Sequence, residues 1–328
     1  MSMFWKKDAD GTLAIDLGSD AVRMVEVRSR RGRVSMSSYA DQSLPEGPPA
    51  TLPERQLEAL GQLLSTQRVK TRRAVAALPT SMVLTRTVAL DRTKGQSTEE
   101  QILWTLQNCL PFDPRDLVFD YWSIGEGANS RAPEVMVVAT QISVVEKYLK
   151  GFDRLHLTCV HLDVAPCAIG TLIAHSAATG DAPIGTVALS HNIGFFAIAE
   201  RGKILFWRPF ELDTVTGTDG VEGAGIQSNL NRIGDEISKC VSHMVGQMQL
   251  DNLGEMLLFG HGSDDLVVNE YLKNRFHVPV RSPSPFDAVS AEQVEGSGGS
   301  KVQHEIATHY CTAMGLALQQ VAGGRNNG

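Results

Sequence analysis

In the N-terminal part of the chain, apolar residues occur in short runs that are separated by polar residues, which predicts strands rather than long helices. Residues 12–27 fit two strands joined by a tight turn, and residues 34–39 fit a third strand after a basic turn at 28–33. Leucines at helical spacing predict an amphipathic helix over 54–67. The run at 73–78 is almost entirely apolar and predicts a buried strand.

A smaller α+β unit is predicted over residues 82–156, in the order strand, helix, strand, strand, helix. Its first helix starts at a capping box, because Ser97 and Glu100 stand three residues apart before an apolar run. The pattern returns to a strand at 157–164, so we expect the small unit to be an insertion in a larger domain.

The second half of the chain repeats the order of the first: hairpin, third strand, helix, strand. The two halves share no visible sequence identity, so the repeat lies in the pattern alone. A glycine-rich segment at 214–229 predicts a mobile loop before a long helix with apolar residues from Ile233 to Met248. The strands predicted in this half lie at 186–189, 194–199, 203–211 and 255–259.

A duplicated three-strand sheet flanked by helices resembles the layout of actin, sugar kinases and Hsp70 ATPases. We therefore predict an α/β chain with an actin-like (ribonuclease H-like, duplicated) two-domain ATPase fold and a small inserted α+β subdomain. The first domain is predicted to comprise residues 11–81, 157–180 and 304–322. The inserted subdomain is predicted over 82–156, and the second domain over 183–303.

Composition narrows the class of protein. The chain has 328 residues, of which 42% are hydrophobic and 20% are charged, an ordinary globular balance. Its net charge of −7 argues against nonspecific binding to nucleic acid. The 5 cysteines show no C-x-x-C spacing, which favours reduced thiols in a cytosolic protein. No apolar run approaches the roughly 18 residues that span a bilayer, so we expect a cytoplasmic location.

The strongest candidate site is the turn of the first hairpin. An apolar strand delivers Asp16 there, and Gly18 and Ser19 follow in a tight turn. A glycine lets backbone N–H groups approach phosphate oxygens, and a carboxylate can hold a hydrated Mg²⁺ ion. We predict that Asp16 binds the metal, that Ser19 donates to a phosphate and that Arg23 neutralises phosphate charge. A plain hairpin turn without a ligand is the alternative interpretation.

Two further turns in the second half are candidates. The turn with Asn192 and Gly194 matches the first hairpin, but it contains no Asp or Glu. A general base typically contributes about 10²–10⁴-fold to a rate, and Ser or Asn cannot replace a carboxylate in that role. This turn is therefore either structural or a weak neighbour of the phosphates. Gly260 and Gly262 follow a strand and open a helix, which predicts close backbone approach to an adenosine.

The order of these features resembles the PilM family of actin-like pilus assembly proteins, which is related to FtsA and to the cytoplasmic part of GspL. The resemblance extends over nearly the whole chain. Its most recognisable local mark is the pair formed by a Leu-Pro-Phe run and a later Asp-Tyr. The matching segments are residues 15–27, 77–79 with 84–87, 110–112 with 120–121, 160–168 and 260–262.

The resemblance implies a site for ATP or ADP with Mg²⁺. It places Asp16, Gly18, Ser19 and Arg23 at the phosphates, and it places Gly260 with Gly262 at the adenosine. The second phosphate hairpin of the family has an acid and a threonine, and this chain has neither. We therefore expect no catalytic residue and little or no ATP hydrolysis.

The resemblance also implies a cytoplasmic scaffold that is peripheral to the inner membrane through its partner. The groove between the small unit and the first domain is expected to bind the N-terminal tail of a PilN-like inner-membrane protein. Other inner-membrane components of a type IV pilus or type II secretion assembly, and a second copy of the chain, are further expected contacts.

Two other functions stay open at this point. The intact first turn is also compatible with an active ATPase or a small-molecule kinase of the same superfamily, although no sugar-binding motif accompanies it. An FtsA-like filament former would need an amphipathic membrane anchor, whereas residues 322–328 are polar and rich in glycine. We therefore rank the scaffold first.

Overall fold

Three β-sheets and the helices packed on them form the described part of the molecule. The computed structural model describes residues 11–30, 33–91, 93, 95–109, 113–126, 132–175, 182–190, 193–213, 222–248, 253–263, 265–288 and 308–323.

The described elements alternate strands and helices along the chain. The strands are β1 (Gly11–Leu17), β2 (Ala21–Arg30), β3 (Arg33–Ser43), β4 (Arg73–Leu78), β5 (Leu84–Ala89), β6 (Leu117–Glu126), β7 (Pro133–Gln141), β8 (Thr158–Val164), β9 (Ile184–Leu189), β10 (Ile193–Glu200), β11 (Lys203–Glu211), β12 (Glu255–Gly260) and β13 (Val280–Arg281). The helices are α1 (Leu52–Thr66), α2 (Thr98–Cys109), α3 (Ile142–Arg154), α4 (Ala165–His175), α5 (Glu222–Met248), α6 (Leu266–Phe276) and α7 (Cys311–Gly323).

The two larger sheets have the same strand order. The first runs β3-β2-β1-β4-β8, and the second runs β11-β10-β9-β12-β13. In each, the first three strands are antiparallel and the last two join in parallel. Strands β4 and β9, each flanked by a strand on both sides, are buried almost throughout, as expected for apolar runs covered on both faces. The predicted repeat of hairpin, third strand, helix and strand is thus present in both halves.

The third sheet belongs to the predicted inserted unit and has the antiparallel order β5-β7-β6. Its helix α2 closes a small core of its own with Ile102 and Leu106 against Val135 and Val137. The other helix, α3, packs on α1, which covers the first sheet. Its Tyr148 and Phe152 are fully buried in the same hydrophobic cluster as the residues of that sheet. The strands of each predicted domain therefore form a sheet of their own, while the exact domain boundaries stay a prediction.

The two larger sheets share one hydrophobic core. Helix α7 packs on β1 and β4, helix α4 packs on β11, and the two helices pack on each other. Ile15 of the first sheet and Trp207 of the second belong to the same cluster of buried side chains. A separate cluster covers the other face of the second sheet under α5 and α6.

Two sequence predictions for local structure are wrong. Residues 222–229 are helical, because α5 begins at Glu222 rather than after the predicted loop at 214–229. A helix gains one hydrogen bond per added residue once it is nucleated, so α5 extends across Gly223 and Gly225. The predicted basic turn at 28–33 is shorter, since Arg30 and Arg33 pair as strand residues. Residues 31–32, 214–221, 289–300 and 304–307 lie outside the described residues.

Candidate functional site

A cleft lies between the two larger sheets, where the carboxyl ends of β1, β4, β9 and β12 come together. It holds about 70 Å³. Asn192 lies outside the described residues, and Gly262 is not among the described residues that line the cleft. The predicted site residues that line it together are Asp16, Gly18, Ser19, Arg23, Gly194 and Gly260.

Asp16 lies at the end of β1, opposite Arg23 on β2. Burial of the carboxyl raises its pKa from 3.8 to about 7, against the opposing effects of the Arg23 charge and a hydrogen bond with Thr312. The nearby Asp20 adds to the rise. A carboxylate that is costly to ionise without a counter-ion is well placed to gain from a bound cation.

Arg23 is buried and paired with Asp20 in the same turn. Its guanidinium donates to both carboxylate oxygens of Asp20, at 2.7 and 3.3 Å. Burial by itself would raise the pKa of Asp20, but these hydrogen bonds and the Arg23 charge hold it below its ordinary value. Nε2 of His261, from the second half, lies 3.7 Å from Asp20 Oδ2. Arg23 therefore balances the carboxylates of the turn as well as facing the cleft.

The turn after β1 offers an unused polar atom to the cleft. Ser19 Oγ is buried and has no hydrogen-bond partner among the described residues. A Cβ atom at Gly18 would lie 2.6 Å from the Ala21 carbonyl oxygen, so the tight turn requires glycine. A phosphate oxygen would satisfy the Ser19 hydroxyl and the cation would sit at Asp16, so these residues fit a magnesium–phosphate group.

Gly260 sits where the second sheet meets the cleft. Its φ of 85° lies in the left-handed region, and a Cβ atom there would overlap the Leu189 carbonyl oxygen. The N–H of His261 donates to the same carbonyl oxygen at 2.9 Å. The glycine turn is therefore locked to the end of β9, and only glycine permits this approach.

The side of the cleft formed by the second sheet has no acidic group in the described part of the chain. Ser190, Ile193 and Gly194 line it, and Asp16 is the only carboxylate among the described residues that line the cleft as a whole. The N–H of Ser190 donates to the Ile193 carbonyl oxygen at 2.9 Å. This half of the cleft lining therefore offers hydroxyl and backbone groups but no carboxylate among the described residues.

A recess of about 220 Å³ adjoins the cleft and shares Leu189 and Ser190 with it. Leu212, Ile233 and Val268 supply apolar surface, while Asp213 and Asn229 supply hydrogen-bonding groups. A recess with apolar walls and a few polar groups suits a planar, partly polar ligand group.

Several cleft residues carry no signal in the sequence. Thr312 and His309 reach the cleft from the C-terminal helix region, and Thr80 reaches it from the turn after β4. Gln56 on α1 donates to the backbone of the Asp16–Ser19 turn. No local motif surrounds these residues, so only the packing of distant elements could reveal them.

A second recess, the groove, lies between the inserted unit and the first sheet. It holds about 450 Å³ and is bordered by the start of α1, the turn after β4, and α3. Apolar walls come from Pro53, Met82 and Val144, and Lys147 adds a positive charge. Edge strand β5 begins at this groove with Leu84.

A family model described as type IV pilus assembly protein PilM matches residues 14–212, which is more than half of the 328-residue chain. The chain belongs to the PilM family. The predicted family resemblance is thereby confirmed, including its link to type IV pilus assembly. Among the described helices of this PilM-family chain, none combines the length and the apolar character that a membrane span requires.

Solved structures of similar shape include a PilM–PilN type IV pilus biogenesis complex, with a TM-score of 0.77 and 21% identity over 94% of this chain and 98% of that chain. A Bacteroides thetaiotaomicron protein with an actin-like ATPase fold and unknown function has a TM-score of 0.48 and 12% identity, over 88% of this chain and 98% of that one. The cytoplasmic domain of EpsL from the Vibrio cholerae type II secretion system has a TM-score of 0.47 and 12% identity, over 96% and 95%.

The likeness to the PilM–PilN complex, together with the repeated strand order of the two larger sheets, confirms the predicted actin-like α/β fold. At 21% sequence identity, this likeness shows a shared fold and nothing more about the chain.

Proposed function

We propose that this chain is a cytoplasmic scaffold of a type IV pilus or related secretion assembly, held at the inner membrane through its partner. Its groove binds the N-terminal tail of a PilN-like inner-membrane protein. Membership of the PilM family supports the assembly role, and the solved relative is itself a complex of PilM with PilN. The observation on which the proposal chiefly rests is the groove between α1 and α3.

The groove suits an extended peptide. Proline, methionine and valine side chains give it apolar walls for alternate side chains of such a peptide. Among the described strands β5 pairs with β7 alone, so its other edge can accept a further strand. Lys147 lines the groove and forms a 2.8 Å ion pair with Glu54 of α1, which can exchange for an acidic group of the ligand.

The cleft is proposed to bind ATP or ADP with Mg²⁺ and to hydrolyse ATP little or not at all. Asp16 would hold the cation, while Ser19 and the backbone N–H groups after Gly18 would hold the phosphates. The adjoining recess beside Gly260 and His261 would hold the nucleoside. The bound cation neutralises phosphate charge. Weak turnover follows from the lack of a carboxylate on the second side of the described lining.

The peptide site is tested by titrating the purified chain with the N-terminal cytoplasmic peptide of the PilN-like protein from the same organism. Val144→Asp puts a charge on the apolar wall of the groove and should weaken binding at least about tenfold, since burial of an unpaired charge is costly. Val118→Asp, at a 44% exposed site in β6 outside the groove, is the control and should bind as wild type.

Calorimetric titration that detects no binding by the wild-type chain at hundreds of micromolar peptide would refute the peptide site. Equal affinity of the two variants would place the peptide elsewhere.

Phosphate release with Mg²⁺ and ATP tests the second part of the proposal. We expect the wild-type chain and the Asp16→Ala variant to release phosphate at the same background rate. Turnover that the substitution abolishes would instead identify an active ATPase.

A further inference from the structure

The groove and the cleft are joined by a fully buried pair of hydrogen-bonded side chains, Gln56 and Tyr148. Gln56 is on α1 and Tyr148 is on α3, and both have 0% exposed surface. The Tyr148 hydroxyl donates to Gln56 Oε1, and Gln56 Nε2 donates to the carbonyl oxygens of Leu17 and Gly18 at 2.8 and 2.7 Å. The two carbonyl oxygens can only accept, so they fix Nε2 on their side and leave Oε1 to accept from the Tyr148 hydroxyl.

The two bonds from Gln56 control the direction of backbone donors in the cleft. The Leu17 carbonyl shares a peptide plane with the Gly18 N–H, and the Gly18 carbonyl shares one with the Ser19 N–H. In a trans peptide the carbonyl and the N–H point in opposite directions. Holding both carbonyls on the Gln56 side therefore aims both N–H groups away from it. Gln56 is thus a positioning residue for the turn that would face the phosphates.

The other end of the pair is in contact with the groove. Val144 and Lys147, which line the groove, stand four residues and one residue before Tyr148 on α3. The sulfur of Met82, a further lining residue, lies 3.4 Å from the Tyr148 hydroxyl oxygen. Ser81, beside it, lines both the groove and the cleft. Among the described residues, the Tyr148 hydroxyl is the only one that donates to Gln56 Oε1. A ligand that contacts α3 and Met82 therefore acts directly on the surroundings of this hydroxyl.

We propose that Gln56 and Tyr148 couple the two recesses, so that a peptide in the groove raises the affinity of the cleft for nucleotide. This inference rests on the peptide and nucleotide binding proposed above. The peptide immobilises α3, the Tyr148–Gln56 bond orders the Leu17–Gly18 carbonyls, and the N–H groups of the turn are then preorganised. Coupling of this kind is reciprocal, so nucleotide raises peptide affinity by the same factor, typically about fivefold or more.

The experiment measures the MgATP dissociation constant by calorimetry with and without saturating tail peptide. We expect a ratio of about five or more for the wild-type chain. Tyr148→Phe removes only the hydroxyl and should bring the ratio to within about twofold of one. Tyr121→Phe is the matched control, because the Tyr121 hydroxyl bonds to Glu99 at 2.6 Å in the same inserted unit but away from Gln56. This control should keep the wild-type ratio.

Hydrogen exchange supplies a measurement that needs neither nucleotide nor a variant. Peptide added to the wild-type chain should slow exchange of the amides at 18–21, and unchanged exchange there would overturn the coupling. A wild-type ratio of one, or a Tyr148→Phe ratio equal to that of wild type, would also overturn it while leaving both binding sites standing. If direct titration shows that the wild-type chain binds no peptide, both the proposed function and the coupling are refuted.

Discussion

Asp16 has two conflicting demands placed on it. A metal ligand must be ionised, yet burial at the end of β1 favours the protonated carboxyl and raises its pKa to about 7. In the folded chain without a cation, Asp16 therefore binds its proton over a pH range in which the unfolded chain has already released it. Folding stability from this group is fully present below the unfolded pKa near 3.8 and is lost as pH rises towards 7.

Asp16→Asn should remove this loss. We expect the variant to be more stable than wild type at pH 8, and we expect the difference to shrink at pH 5, in buffer with EDTA and without nucleotide. Urea unfolding at the two pH values measures the free energies. Asp20→Asn removes the same charge but should destabilise the chain by a similar amount at pH 5 and pH 8, because Arg23 holds the pKa of Asp20 below its ordinary value and the group is ionised in both states over this range. Equal pH dependence of the two variants would contradict this account.

Gly260 gives a second prediction at the scale of single residues. Alanine at Gly262 has open space and should cost only the left-handed backbone conformation, about 1–2 kcal/mol. Alanine at Gly260 meets the same conformational cost and also overlaps the Leu189 carbonyl oxygen, so it should cost more. Urea unfolding of the two variants compares them directly. A Gly262→Ala variant as unstable as Gly260→Ala would show that the contact with β9 adds nothing.

The residues that could be predicted are those in short local patterns. Asp16, Gly18 and Ser19 form one turn, and the structure brings them to the same cleft as Gly260. Gln56 and Thr312 could not be predicted, because their role depends on α1 and α7 packing over β1, and no spacing in the chain expresses that. Arg23 was predicted to face phosphate, but its pairing with Asp20 required the folded turn.

At the scale of elements, the sequence predicts the capping box before α2, and the structure contains it. The N–H of Glu100 donates to Ser97 Oγ at 3.1 Å, and the N–H of Ser97 donates to Glu100 Oε2 at 2.7 Å. Ser97→Ala should lower the free energy of unfolding by about 1 kcal/mol, since orphan N–H groups at a helix start lose a partner.

Urea unfolding measures the loss at Ser97, and faster hydrogen exchange over 98–101 should accompany it. Ser123→Ala, at an exposed strand position of the same inserted unit, is the control and should change stability little. If the two substitutions cost the same, the cap contributes nothing beyond an average surface serine.

Helix α5 shows why element boundaries are harder to predict than element types. Its apolar spacing from Ile233 predicted a helix, but Gly223 and Gly225 suggested a loop where the chain is helical. Glycine costs a helix roughly 1 kcal/mol each, which a long helix packed on β10 and β11 can absorb. The strands of both hairpins were located well because their alternation is local and their turns are short.

At the scale of the whole molecule, the strand order repeats but the inserted unit contacts both halves. Its α3 buries Tyr148 against the first sheet, and its β6 reaches the second sheet through Trp122. Trp122 packs at the edge of the core shared by both large sheets. The inserted unit is therefore braced at two points, which no pattern within residues 82–156 could reveal.

Trp122→Phe tests the second of these points. The indole Nε1 donates to the Ile204 carbonyl oxygen on β11 at 2.6 Å, and phenylalanine keeps much of the apolar ring while leaving that carbonyl without the bond. We expect the free energy of unfolding to fall by about 1–2 kcal/mol, and we expect the amides at 201–204 to exchange faster. Val118→Thr is the control, because Val118 is 44% exposed on the same strand β6 and its substitution should change stability by less than about 0.5 kcal/mol. Unchanged exchange at 201–204 in Trp122→Phe would mean that the inserted unit is held by the first sheet alone.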